Sequence, residues 1–272
     1  YATTQGIASD LVEYSAFAVG SAPSQRLLVV YGQLPQPEGS MQRDGRSEYA
    51  ASQLAGILKA EGVTFWNNTS LLKNADSNEV PSALVIRSLS YSEATELSFF
   101  GAPVIHPQAL LPAINESINV QLRWWGDEND EGTIISKDGN GEQLNKVKGF
   151  SIIHDIALIN VEGAGMSGVI GIASRLFTAM REASISVILI SQASSEYSIC
   201  FAVPASQMER ACTVAREAFS HELDEHLIQS IEGESGLAIL AAVGKQMTGQ
   251  AGIAGKFFSS LGRASVNVIA IA

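Results

Sequence analysis

The chain has 272 residues, of which 46% are hydrophobic and 17% charged, and its formal net charge is −11. This balance is typical of a globular protein with a substantial core, and the length suits two or three domains. The negative charge would repel a phosphate backbone, and no run rich in Lys and Arg is interleaved with aromatic residues. We therefore expect neither nucleic acid nor a membrane surface as a partner.

The sequence contains no stretch of about 18 apolar residues that could span a membrane, and its first residues, YATTQGIASD, do not resemble a secretion signal. We expect a soluble, cytoplasmic protein. The missing initial Met and the strand-like end, VNVIAIA, indicate an excerpt of something longer. The two cysteines, Cys200 and Cys212, lie in runs without metal-ligand spacing, which predicts inert core thiols and no metal site.

The first half of the chain reads as an alternation of helices and strands. Gln25–Tyr31 (QRLLVVY) is a short apolar run, typical of a buried parallel strand. Three helices are predicted after it: residues 47–61, capped by Ser47; residues 90–100, with a capping box of Ser90 and Glu93; and residues 107–114. Residues 126–141 are acidic and rich in Gly and carry the hairpin signal Asp138-Gly139. We place a domain boundary just after them.

The second half contains an internal repeat. Residues 157–190 recur as residues 238–271 with a constant offset of 81, as for Met166 and Met247 or Gly171 and Gly252. Each copy reads as strand, loop, helix and strand. Duplicated supersecondary units commonly bind ligands where they meet, so the function is sought here.

The first copy continues into more elements than the second. Its predicted order is a strand at 157–161, a helix at 167–183, strands at 185–191 and 197–203, and a helix at 206–222. One further strand would complete a ferredoxin-like βαββαβ module, with both helices on one face of an antiparallel sheet. A short acidic cluster at the end of the last helix, Glu222, Asp224 and Glu225, is predicted to face solvent.

The loop of the first copy, Gly163 to Gly168, matches the G-x-G-x-x-G fingerprint of dinucleotide-binding proteins. The second copy lacks the middle Gly, and no Asp or Glu ends the next strand, which turns straight back as a hairpin. We interpret the loop as a tight turn whose helix amides could bind an anion, with Ser167 and Gln192 nearby. The alternative, that Ser167 only caps the helix, stays open.

Residues 147–204 resemble the regulatory region of aspartokinases, most of all the kinase joined to homoserine dehydrogenase in bifunctional enzymes. The resemblance covers about residues 46–272 and implies ACT modules, which in that family bind threonine or lysine as a feedback inhibitor. It implies Gln192 as an effector contact, and it extends the candidate effector site to the set Gly165, Met166, Ser167, Gly171, Ile172, Gln192 and Ser194.

Upstream, residues 90–107 (SYSEATELSFFGAPVIHP), Trp66 and Asp76 resemble the kinase domain of the same family, whose α/β fold transfers the ATP γ-phosphate to aspartate. The nucleotide motifs differ, however. Residues 45–49 read GRSEY in place of GGSDY, residues 67–71 read NNTSL in place of TDVDG, and Pro103 replaces a phosphate-facing Lys. The degenerate positions are Glu48, Asn68, Ser70, Asn78 and Pro103.

The resemblance predicts an α/β chain in three parts: a partial, degenerate kinase lobe at 1–145, a first ACT module at 146–232 and an incomplete second one at 233–272. Because phosphoryl transfer depends on positioning and charge neutralisation, the lost ligands favour an inactive kinase site with no cofactor in this chain. ATP and Mg would enter only if the kinase were active. An active, feedback-inhibited aspartate kinase and a pure oligomerisation scaffold remain alternatives, and a homodimer through the ACT modules is expected in each case.

Overall fold

The computed structural model describes residues 15–22, 25–31, 46–67, 71–102, 105–139, 147–166, 169, 171–192, 197–247 and 250–272. These residues form two compact units. Unit one contains the described residues up to Phe150 together with Ala242–Lys245, and unit two contains Ser151–Ala241 with Gln246–Ala272. The chain therefore leaves unit one, builds most of unit two, and returns to unit one for four residues.

Unit one begins with a two-stranded sheet, β1 (Ser15–Ala22) and β2 (Gln25–Tyr31). The strand predicted at Gln25–Tyr31 is confirmed. The expected parallel pairing is wrong, because β2 pairs antiparallel with β1 and places Tyr31 opposite Ser15. Only two residues connect the strands, and such a short connection allows only an antiparallel pair.

The rest of unit one combines three helices with a four-stranded sheet of order β3-β5-β6-β4. The elements are α1 (Arg46–Ile57), β3 (Gly62–Asn67), β4 (Ser88–Ser90), α2 (Tyr91–Phe99), α3 (Pro107–Asn115), β5 (Asn119–Trp124) and β6 (Thr133–Ser136). β3 runs parallel to β5 and β4 to β6, whereas β5 and β6 are antiparallel and are joined by the acidic loop. Leu89, Leu97, Leu110, Val120 and Ile135 form the centre of the core.

Two predicted helix starts in unit one have different outcomes. The capping box of α2 is confirmed: Ser90 Oγ accepts from the Glu93 amide at 3.3 Å, and the Glu93 carboxylate accepts from the Ser90 amide at 2.8 Å. The predicted cap of α1 is wrong. Ser47 lies inside that helix and donates its hydroxyl to the Glu48 carboxylate at 3.0 Å.

Unit two contains the predicted ferredoxin-like module. Its sheet order, β10-β7-β9-β8, is that of a βαββαβ fold. The elements are β7 (Gly149–Glu162), α4 (Ile172–Glu182), β8 (Leu189–Gln192), β9 (Ser198–Pro204), α5 (Met208–Ala218), α6 (Ser220–Asp224) and β10 (Ser230–Val243). The hairpin of β8 and β9 is antiparallel, as expected. Phe201, Leu176 and Phe219 are fully buried in its core.

Several boundaries in this module differ from the predicted ones. The first helix begins at Ile172 rather than 167, because Ala164–Met166 forms a separate 3-10 turn and Gly171 adopts a left-handed conformation. The second helix is interrupted at Phe219. Glu222 does not face solvent as predicted, since its side chain is only 15% exposed and pairs with Arg175.

The second copy reproduces the backbone of the first. A 3-10 turn at Lys245–Met247 and helix α7 (Ile253–Arg263) follow β10 at the 81-residue offset. Gly171 and Gly252 both have φ of 89°, and Ser184 and Ser265 have φ of 55° and 57°. Residues 266–271, which the structure describes, are assigned no strand, contrary to the prediction.

Strands β7 and β10 are each 14 residues long and are neighbours in the sheet. At one end the Gln229 amide donates to Glu162 O at 2.7 Å, and at the other the Lys148 amide donates to Val243 O at 2.7 Å. Both hydrogen bonds fit a single antiparallel register between β7 and β10. In that register Asp155, with φ of 55°, lies opposite Gly236, with φ of 79°, so both strands deviate at the same level.

Candidate functional site

Three of the candidate effector residues of the first copy, Gly165, Gly171 and Gln192, lie at one edge of the unit-two sheet. β7 and β8 are both antiparallel to β9, so they run in the same direction and end at the same edge. The register places Val161, Ile199 and Gln192 in one row across the three strands. Since neighbouring strands lie about 4.8 Å apart, Gln192 is roughly 10 Å from the end of β7. The carboxyl ends of β7 and β8 therefore share this edge.

The loop after β7 is held by backbone contacts on both sides. The Gly163 amide donates to Tyr197 O at 2.9 Å, and the Gly165 amide donates to Leu227 O at 3.0 Å. A Cβ atom added to Gly165 would lie 2.6 Å from Leu227 Cβ. Packing against Leu227 therefore requires glycine here, which accounts for the dinucleotide-like pattern without a pyrophosphate.

The start of α4 offers amide donors at the same edge. Its N-cap, Gly171, is left-handed and has no side chain, and no side chain of the described residues caps the helix. The first amides of a helix lack intrahelical acceptors and carry partial positive charge, so they attract a carboxylate or another anion.

The structure separates the predicted effector residues into two groups. Gly165, Gly171 and the exposed Gln192 belong to the shared edge. Met166 and Ile172 are 3% and 8% exposed and pack in the hydrophobic core, where they support the loop and the helix. Ser167 and Ser194 lie outside the described residues.

An ion pair that the sequence analysis missed joins α4 to α6 and so supports this edge. Arg175, in the first turn of α4, contacts the Glu222 carboxylate, and its guanidinium lies 4.5 Å from the ring centroid of Phe219. Burial raises the pKa of the Glu222 carboxyl, but the hydrogen bond and charge of Arg175 outweigh burial and leave that pKa below its usual value. The amides of Leu227 and Ile228 donate to Glu222 O. Arg175 thus links α4 to the segment that holds Gly165.

In unit one the carboxyl ends of the parallel strands β3 and β5 lie side by side, which is where open α/β sheets bind ligands. Trp125 covers this edge. Its ring centroid is 4.8 Å from that of Trp66, its amide donates to Asn67 O at 3.0 Å, and Arg123 lies 4.6 Å from the Trp66 centroid. The sequence analysis named Trp66 through the family resemblance but did not predict its contacts with Arg123 and Trp125.

The degenerate kinase positions are only partly described. Glu48 lies in the first turn of α1. Asn78 is exposed and lies in a turn, where its backbone amide donates to Asp76 Oδ1 at 2.8 Å. Asn68, Ser70 and Pro103 lie outside the described residues. Within the described part of the chain, no group of three or more His, Cys, Asp and Glu side chains could hold a metal ion.

Two further expectations concern the thiols and the membrane. Cys212 is buried and Cys200 half-buried, and burial raises the pKa of both thiols, which suits the predicted inert role. Among the helices in the described ranges, none is long and apolar enough to cross a bilayer.

Comparison with known proteins gives two family matches. Residues 20–123 match the amino acid kinase family, and residues 159–219 and 240–272 match the ACT domain. The expected fold class, part of an amino-acid-kinase fold followed by ACT modules, is thereby confirmed.

Among the similar proteins is a bifunctional aspartokinase/homoserine dehydrogenase of Haemophilus influenzae, 42% identical over 226 residues. The match covers 83% of this chain but only 28% of that protein.

Similar solved structures include an aspartate kinase of Clostridium acetobutylicum, with a TM-score of 0.73 and 23% identity, covering 85% of this chain and 52% of that one. Aspartokinase III of E. coli, in complex with aspartate and ADP, has a TM-score of 0.67 and 25% identity, covering 84% and 50%. Its complex with lysine and aspartate has a TM-score of 0.64 and 25% identity, covering 94% and 53%.

Proposed function

Because this chain belongs to the aspartokinase family and carries its ACT domains, we propose that it is the regulatory part of an enzyme of aspartate-derived amino-acid biosynthesis. In this proposal the first ACT module binds a feedback amino acid. The kinase lobe no longer transfers phosphate.

The observation that carries the effector site is the sheet edge shared by Gly165, Gly171 and Gln192. The first amides of α4 suit the carboxylate of an amino acid, and the exposed Gln192 amide can accept from an ammonium group or donate to a carboxylate. E. coli aspartokinase III, which has been solved with lysine, supports an amino-acid ligand for this family.

We favour threonine over lysine as the effector. The one effector that a similar structure's name gives is lysine, and that protein is only 25% identical, whereas the bifunctional aspartokinase/homoserine dehydrogenases are 42% and 38% identical, so the support for lysine is weak.

An inactive kinase site is supported by chemistry at two places. The residues present do not fit Mg-ATP: Asn68, Ser70 and Pro103 supply neither carboxylates for Mg nor a cation for the γ-phosphate. In addition, Trp125 stacks on Trp66 across the carboxyl ends of β3 and β5. Transfer of a phosphoryl group requires charge neutralisation, which Asn68, Ser70 and Pro103 do not provide.

The proposal also includes a cytoplasmic location and a homodimer formed through the ACT modules. Half-buried hydrophobic side chains on α7, among them Ile253, Phe257 and Leu261, are consistent with further packing there. The chain spans 28% of the length of the Haemophilus relative, so the activity of the whole protein is part of the proposal.

The test is a calorimetric titration of the purified chain with threonine, lysine and Mg-ATP. It compares wild type with Gln192→Ala and with Gln108→Ala, which alters an exposed Gln on α3 of unit one. We expect threonine to bind the wild type and Gln108→Ala equally, and to bind Gln192→Ala about tenfold more weakly, as for one lost hydrogen bond.

Each other outcome identifies one of the alternatives. Binding of Mg-ATP would overturn the inactive kinase site and support an active, feedback-inhibited kinase. Lysine binding without threonine binding would correct the effector alone. No heat with either amino acid would overturn the effector site and leave an oligomerisation scaffold.

A further inference from the structure

The turn that carries Gly165 rests on a short segment that follows α6. The Gly165 amide donates to Leu227 O at 3.0 Å, and the Gln229 amide donates to Glu162 O at 2.7 Å, just before the turn. The fit is close, because a Cβ added to Gly165 would lie 2.6 Å from Leu227 Cβ and one added to Gly163 would lie 2.3 Å from Leu227 O. The position of Leu227 therefore fixes the position of the turn.

The backbone at the end of α6 places Leu227. The Leu227 amide donates to Glu222 O at 2.8 Å, the His226 amide donates to Leu223 O at 3.1 Å, and His226 is left-handed with φ of 56°. These hydrogen bonds and the left-handed residue form the Schellman motif, which ends many helices. Because a residue other than glycine is disfavoured in this conformation, neighbouring contacts have to hold this end of α6 in place.

The ion pair of Arg175 and Glu222 is such a contact. Arg175 of α4 contacts the Glu222 carboxylate, whose side chain is 15% exposed, and its guanidinium lies 4.5 Å from the ring centroid of Phe219. A carboxylate that is largely buried is costly to leave unpaired, so α6 is held where Arg175 reaches it. One connection, all of it in unit two, therefore runs from Arg175 through Glu222 and Leu227 to Gly165.

Both ends of this connection differ in the second copy. At the 81-residue offset, Lys256 stands in the position of Arg175 and Gln246 in that of Gly165. A lysine ammonium group lacks the planar fork with which arginine pairs with a carboxylate while it stacks on an aromatic ring. The two residue types that the connection needs at its ends are thus present only in the copy that carries the candidate effector site.

We infer that Arg175 and Glu222 are positioning residues of the candidate effector site, which fix the Gly165 turn through Leu227 and thereby set the affinity of the first ACT module for its amino acid. The affinity half of this inference rests on the proposed function, and the positioning half does not. A ligand that binds one arrangement of the turn is bound more weakly when fewer molecules adopt that arrangement. Loss of the ion pair therefore lowers the affinity without the loss of a ligand contact.

A small set of variants isolates the pair. Arg175→Gln and Glu222→Gln each remove one charge, the double variant removes both, and either single variant suffices if the other does not fold. Lys256→Gln is the matched control, because it removes the cation at the equivalent position of α7. Met180→Ala is the stability control, since it removes core packing from the same helix and leaves the connection in place. If Met180→Ala does not fold, Met180→Val replaces it.

Hydrogen–deuterium exchange of the full chain without ligand tests the positioning half. Because the lost ion pair is charge-assisted and partly buried, we expect exchange of peptides covering residues 162–166 and 226–229 to rise about threefold to tenfold in either single variant, relative to Lys256→Gln. Exchange of residues 199–203 in β9 should stay unchanged. Equal exchange of the two peptides in the single variants and in Lys256→Gln would overturn the positioning half, whether or not any amino acid binds.

Calorimetric titration with threonine, and with lysine, tests the affinity half. We expect the bound amino acid to bind each single variant about threefold to tenfold more weakly than wild type, with no further loss in the double variant, as for residues that act as a pair. The affinity of Lys256→Gln and of Met180→Ala should equal that of wild type, because a variant that is only less stable remains folded under the conditions of the titration.

Three results would overturn the affinity half: an unchanged affinity in the single variants, an equal loss in Met180→Ala, or losses that add up in the double variant. Absence of binding to wild type would overturn the proposed function and the affinity half with it. The positioning half is then still decided by the exchange measurement, so the two failures are distinguishable.

Discussion

The two copies of the repeat adopt the same local backbone but differ in what they bury. Helices α4 and α7 have the same length and equivalent left-handed Gly N-caps. α4 buries Ile172, Leu176 and Met180 between the sheet and α5. Every residue of α7, all of which the structure describes, is at least partly exposed. Local sequence thus determines turn and helix, whereas the burial of α4 depends on α5 and on the strands that pack against it.

The sharpest test of this difference truncates the same repeat position in both helices. Met180 is 1% exposed, and its counterpart Leu261 is half-buried. We expect Met180→Ala to lower the free energy of unfolding by about 2–5 kcal/mol and Leu261→Ala by less than about 1 kcal/mol. Urea unfolding followed by circular dichroism measures both. Equal losses would mean that α7 is as well packed as α4.

A second test concerns the ion pair of Arg175 and Glu222 in the first copy. Arg175→Gln removes the partner of Glu222 and the contact with Phe219, and should cost about 1 kcal/mol at pH 7. Lys256→Gln, at the equivalent position of α7, should cost less.

The same pair predicts a pH dependence. The pKa of Glu222 is lowered in the folded protein, so its contribution to stability is complete above the ordinary value of 4.5 and is lost as the pH falls through the folded-state pKa. The difference in stability between wild type and Arg175→Gln should therefore shrink below pH 4.5. A difference that stays constant down to pH 3 would contradict an ion-pair origin.

The smallest expected effect is an increase in the free energy of unfolding. Gly255 lies inside α7, and among the described residues no heavy atom lies within 4 Å of an added Cβ. Gly255→Ala should raise the free energy of unfolding by about 0.5–1 kcal/mol, because glycine loses more backbone entropy in a helix. Ser174→Ala, at the matching exposed position of α4, should raise it by less. A loss of stability in thermal unfolding of Gly255→Ala would show that the open space is filled by a partner.

Much of the fold was predictable because its signals are local. The capping box of Ser90 and Glu93, the Pro at the start of α3 and the alternation of elements in the first copy each depend on residues close in sequence. The start of α4 was predicted too early because Ser167 looks like a cap, whereas the helix begins after the left-handed Gly171. A sequence pattern does not distinguish a 3-10 turn from the first turn of an α-helix.

The candidate site was less predictable for a physical reason. Gln192 and the Gly165 loop were predicted from the resemblance and the repeat. The contacts that hold the loop in place were not predicted. Arg175 and Glu222 are 47 residues apart. Pairs of this kind form only after the sheet has set the spacing of its loops. Met166 and Ile172 also show that residues next to a candidate ligand loop can pack in the hydrophobic core instead of contacting a ligand.

The opposed residues Asp155 and Gly236 have a consequence for how such a molecule can be rearranged. Paired residues of antiparallel strands lie about 5 Å apart, so residues 156–235 leave β7 and rejoin β10 at neighbouring points of the backbone. A two-residue β-turn spans that distance. We therefore expect a variant in which such a turn replaces residues 156–235 to keep the pairing of the remaining parts of β7 and β10, as in domain insertions at closely spaced chain positions.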